Sequence, residues 1–142
     1  MSRQVIGLGF RDGATAQSIG EVLADAIAKA AMPDVATVLA VAEDKAMHPG
    51  LLAAAQAIRL SIETVAAEAL RAADARVTTH SERVLRQRGV GSVCEAAALA
   101  VAGSDARLVV TRQVSADRNA TAAVALSKDI LLKDLLLKDL AP

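Results

Sequence analysis

Three observations predict an α/β fold, a three-layer α/β/α sandwich on a mixed, mostly parallel sheet of about five strands. Short apolar runs alternate with helix-period stretches through the first half of the chain. Those runs are apolar at nearly every position, the pattern of strands covered on both faces. Two further strand-like runs follow late, close enough together to form a C-terminal hairpin. The 142 residues are enough for one such domain, expected over 1–127, with a leucine-rich tail at 128–142 set apart.

QVIGLG (4–9) ends in glycine and a polar turn, which predicts a first buried strand. Ile19, Val22, Leu23, Ala26, Ile27 and Ala30 then fall on one helical stripe, with Pro33 just beyond its end. ATVLAVA (36–42) predicts the second strand. The polar EDKAMHPG leads to Pro49, a favoured first helical residue, with Leu51, Leu52, Ala55 and Ile58 expected on one side of the helix that follows. RLSI (59–62) is expected to be extended, and a helix to follow over 64–73. Thr79 and Glu82 have capping-box spacing ahead of a short helix to Arg88, and Ser92 and Glu95 repeat it after GVGSV. ARLVVTRQV (106–114) and NATAAVAL (119–126) complete the hairpin around SADR. In the tail, Lys-Asp pairs recur every five residues, so the charges circle a helix and leave no clean apolar stripe. That segment reads either as a poorly ordered end or as one that packs on a partner subunit, which makes a homo-oligomer one expectation.

Sixteen basic and sixteen acidic side chains cancel, and Phe10 is the one aromatic residue. A balanced charge and the lack of stacking rings argue against nucleic acid as a partner. No apolar stretch approaches the ~18 residues of a membrane span, so no membrane partner and a cytoplasmic location are expected. A single cysteine and two histidines give neither a disulfide nor a recognisable zinc spacing, so no metal and no cofactor are expected.

The candidate sites lie where glycine-rich turns meet helices. Gly7 and Gly9, and Gly89 and Gly91 with the cap at Ser92, leave room for an anion near unpaired helix N–H groups, or simply allow tight turns. A dinucleotide fingerprint fails, because Asp12 stands where its third glycine belongs. A nucleophile elbow fails too, with Val90 and Cys94 at its glycine positions. Lys45 and His48 flank a turn at the end of the second strand, the edge where open α/β sheets take ligands. Arg71, Arg76, Arg83, Arg86 and Arg88 crowd a segment that also holds Thr79, His80 and Ser81, either a carboxylate grip or a solvated helix face. Cys94 reads as a first-turn thiolate or as a packed thiol.

Taken in order, IGLGFRDGAT, the Lys45-x-x-x-Pro-Gly-Leu turn, VTTHSERVL and GVGSVCEAAAL resemble the CobE family of cobalamin biosynthesis proteins, itself similar to the C-terminal domain of CbiG. The resemblance runs from about residue 4 to about 126. His48 stands where the family pattern has an acid, and Arg112 where a Lys is frequent. The resemblance implies an α/β/α domain acting in corrin-ring assembly. Proteins similar to CbiG open a corrinoid lactone, an activity of the longer, multidomain protein. For a stand-alone domain it implies an accessory role, binding or handing on a polycarboxylate corrinoid intermediate, with other corrin-pathway enzymes as partners. It also directs attention to Gly7, Gly9, Lys45, His48, Thr79, Ser81, Arg83, Gly91, Ser92 and Glu95 as ligand-binding residues. The alternative is a hydrolase or lyase acting on a corrin lactone or side chain, with Lys45 or His48 as acid or base, or Cys94 as nucleophile.

Overall fold

A computed structural model of the chain describes residues 3–32, 35–88 and 91–127; Pro33, Gly89, Val90 and the 128–142 tail lie outside the described residues. The strands are β1 (Gln4–Phe10), β2 (Thr37–Ala42), β3 (Ile62–Val65), β4 (Arg107–Val114) and β5 (Ala120–Leu126). They form one sheet in the order β3-β2-β1-β5-β4. β1 pairs in parallel with β2, and β2 with β3, while β5 runs antiparallel to both β1 and β4. Four strands therefore point one way and only β5 opposes them, so the sheet is mixed and mostly parallel, as expected.

The near-continuous apolar strands are explained by cover on both faces. Ile6, Leu8, Leu39, Val41 and Val124 pack against helices α1 (Ala16–Ala30) and α2 (Pro49–Ile58). Val5, Val38, Ala40 and Ala125 face the other way, toward α3 (Ala67–Ala73) and α5 (Val93–Ala102). Ile19, Val22, Leu23 and Ala26 are the buried stripe of α1; Ile27, at its margin, remains 38% exposed.

Several local expectations shift. The third strand begins at Ile62 rather than Arg59, because Arg59 takes the left-handed conformation (φ 57°) that ends α2. α3 accordingly starts at Ala67. In α2 the buried residues are Leu51, Ala54 and Ala55, a 3–4 spacing that leaves Leu52 facing solvent. The short helix α4 (Glu82–Arg88) is capped by Ser81, whose Oγ accepts from Val84 N at 3.5 Å, and not by Thr79.

α5 is apolar almost all round because it is enclosed, with Cys94 through Leu99 buried between sheet and α3. Its alanines serve close approach. A Cβ on Gly7 would fall 1.9 Å from Cys94 O and 2.6 Å from Ala98 N, so only glycine lets this helix lie so near β1.

Candidate functional site

Since β5 alone is reversed, the carboxyl ends of β1, β2 and β4 meet the start of β5 at one edge of the sheet. A cleft of about 370 Å3 opens there. Gly9, Phe10, Arg11 and Asp12 line it from the end of β1 and its turn. Ala42 and Lys45 come from the end of β2, Arg112 from β4, and Arg118, Asn119 and Thr121 from the hairpin turn and β5. Ser81 and Val84 of the α4 region and Ser92 and Val93 at the amino end of α5 complete the lining. Arg11, Lys45, Arg112 and Arg118 supply four cations against the one carboxylate of Asp12. On a chain with a formal charge of zero, this is a local excess.

The anchoring of each wall explains the shape. Gly9 approaches so closely that a Cβ would stand 2.9 Å from Thr121 Oγ1, and that hydroxyl donates to Gly9 O at 3.1 Å. Arg118 adopts φ 63° in the hairpin turn. The turn is held by Asp117, which accepts from Ser115 Oγ at 2.6 Å, from Asn119 N at 3.0 Å and from Ser18 Oγ of α1. These hydroxyl and amide donors hold the Asp117 carboxyl at about 2.

Lys45 forms an ion pair with Asp12, and its ammonium lies 5.7 Å from the Phe10 ring centroid. Donation from Lys45, together with its charge, lowers the Asp12 pKa. His48 stands behind this pair. Its Nδ1 accepts from Gly50 N at 3.1 Å and Leu51 N at 3.4 Å, capping α2, and its Nε2 reaches Asp12 O at 2.7 Å. An Nδ1 that accepts leaves Nε2 to donate, so both ring nitrogens serve the frame.

Glu95 is fully buried. Instead of closing a capping box with Ser92, its carboxylate takes Thr78 N at 2.7 Å and Thr79 N at 2.9 Å. Thr79 Oγ1 at 2.7 Å and Arg112 N at 2.9 Å bond the other oxygen. Burial pushes its pKa up, but these donors outweigh burial and leave it below the ordinary value. Glu95 thus ties α5 both to the segment ahead of α4 and to the strand that carries Arg112.

Of the ten residues singled out from the sequence, Gly9, Lys45, Ser81 and Ser92 line the cleft. Gly7, His48, Thr79, Gly91 and Glu95 do not; they build its frame. Gly7 admits α5, and Gly91 lies so close to the 79–80 segment that a Cβ would be 2.9 Å from Thr79 O. Gly91 N also donates to Asp74 Oδ1 at 2.8 Å. The Arg83 side chain lies outside the described residues. The arginine-rich segment does not act as one grip, since Arg76 turns to the carbonyls of Gly103 and Ser104 at 3.0 and 3.2 Å. Alanines 96–98 are core rather than cleft surface. Cys94 is buried, its thiol pushed up by that burial, and Ser92 Oγ lies 3.4 Å from its sulfur, so it presents no accessible thiolate. Arg11, Arg112 and Arg118 were not singled out as site residues. They stand alone in turns and an edge strand, and their convergence follows only from the reversed direction of β5.

Among the described residues no cluster of three His, Cys, Asp or Glu side chains could hold a metal, and no helix is long and apolar enough to cross a membrane.

The family model described as "Cobalamin synthesis G C-terminus" matches residues 4–125. Protein CobE of Sinorhizobium sp is 35% identical over 122 residues, covering 85% of this chain and 78% of that protein. The crystal structure of CobE, a protein from the cobalamin biosynthetic pathway, superposes with a TM-score of 0.77 at 28% identity, over 88% of this chain and 90% of that one. That of the cobalamin biosynthesis protein chiG from Agrobacterium tumefaciens str. C58 gives 0.65 at 40% identity, over 88% and 98%.

Proposed function

The chain belongs to the CobE and CbiG C-terminal family of cobalamin biosynthesis proteins, and we propose that its cleft binds a corrinoid intermediate by that ligand's peripheral carboxylates. One observation carries this reading: Arg11, Lys45, Arg112 and Arg118 converge on a single edge of a molecule with no net charge. Guanidinium groups suit paired contacts to carboxylates, and the amino end of α5 adds the positive end of its dipole beside them. A volume of about 370 Å3 lies near the lower end of small-molecule sites. It admits the fringe of a corrin plate and leaves most of the ring outside, which suits a protein that hands its ligand on to an enzyme of the pathway.

Binding is favoured over chemistry by the state of the candidate reactive groups. Both His48 nitrogens are bonded within the frame, and Cys94 is a buried thiol.

The test is a visible-absorbance titration with cobyrinic acid, a corrinoid polycarboxylate, followed by gel filtration. The chain has no Trp or Tyr, so the corrin chromophore itself reports. A spectral shift that co-elutes with protein, weakens with salt and falls about tenfold in Arg112→Ala is the expected result. No shift and no co-elution, with cobyrinic acid or its cobalt-free analogue, removes the reading.

A further inference from the structure

We propose that Asp12 is a built-in stand-in for a ligand carboxylate, holding Lys45 until the ligand displaces it. The inference rests on the reading of the cleft as a carboxylate site. Asp12 is the single acid among the lining residues, and it sits against Lys45. The two side chains differ sharply in exposure, 95% for Asp12 and 17% for Lys45. Most of the Lys45 side chain is thus covered, with the Phe10 ring 5.7 Å from its ammonium, while the acid that meets that ammonium stands in solvent.

Such a pair adds little to folding, because one partner is fully solvated. Asp12 is nevertheless well placed to move. Its carbonyl is fixed by His48 Nε2, and the turn is closed by Ala14 N donating to Arg11 O at 3.0 Å. The side chain can therefore swing away from Lys45 without disturbing the main chain that carries it.

In this arrangement an incoming carboxylate competes with Asp12 for the ammonium, and each carboxylate ligand that uses Lys45 is weakened by that competition. Ligands held at several points offset that loss more readily than single carboxylates do.

The experiment is a double-mutant cycle. The parent, Asp12→Asn, Lys45→Ala and the double variant are titrated with cobyrinic acid and, in parallel, with citrate. Asp12→Asn is expected to bind about two- to fivefold more tightly than the parent, and the gain to vanish when Lys45 is Ala. A gain that persists without Lys45 is only the general effect of removing a negative charge, and it overturns the proposal. So does equal or weaker binding by Asp12→Asn. A Lys45-dependent gain for citrate alone supports the stand-in while removing the corrinoid reading. Binding of neither probe to any of the four proteins ends both.

Discussion

At the scale of single residues, the carboxylates divide by what meets them. Glu95 takes its bonds from backbone N–H groups and threonine hydroxyls, and truncating it leaves Thr78 N, Thr79 N and Arg112 N without an acceptor. Hydrogen bonds to a charged group contribute about 1.5–3 kcal/mol each, so Glu95→Ala, which removes several at once, is expected to lose more than about 3 kcal/mol in urea unfolding. A loss below 1 kcal/mol would show that these donors find other acceptors. Asp117 gives the pH-dependent counterpart. Its folded pKa of about 2 lies below the ordinary 3.8, so ionised Asp117 stabilises the fold above pH 3.8, and that contribution is lost as pH falls toward 2. The thermal midpoint of the parent should exceed that of Asp117→Asn most above pH 3.8, and the gap should close on acidification. A gap that stays constant from pH 6 to pH 2 would exclude the charge as its source.

At the scale of elements, the packing of α5 on β1 decides the fold's second layer. The side chain missing at Gly7 is what admits the helix, and the obstacle to any replacement is backbone, which cannot rotate away. Gly7→Ala should therefore destabilise by more than about 2 kcal/mol, since overpacking of a closed core must move the helix. Gly20, inside α1 with nothing within 4 Å of a Cβ, provides the contrast. Gly20→Ala should stabilise by about 0.5–1 kcal/mol through helix propensity. Equal effects at the two sites in urea unfolding would show that close approach is not what Gly7 provides. The same layer explains why the spacing of Ser92 and Glu95 misleads. A capping box holds when the acid is free to fold back, but here enclosure turns the carboxylate toward Thr79 and Arg112 instead.

At the scale of the molecule, the cleft exists because β5 runs against its neighbours. That reversal places the hairpin turn, with Arg118 and Asn119, beside the ends of β1 and β2. The local sequence determined the strands, their cover on both faces, the α1 stripe and the family, because apolar period and quoted motifs are properties of neighbouring residues. Gly9, Lys45, Ser81 and Ser92, singled out from turn chemistry and resemblance, line the cleft, but no local pattern brings them to one face. Only the tertiary structure decided that Glu95 and His48 are frame, and that Arg11, Arg112 and Arg118 converge. Those roles depend on which chain segments meet, 17 residues apart for Glu95 and Arg112 and over a hundred for the pairing of Phe10 with Ala120, and a carboxylate or guanidinium carries no local mark of what it will face after the sheet has formed.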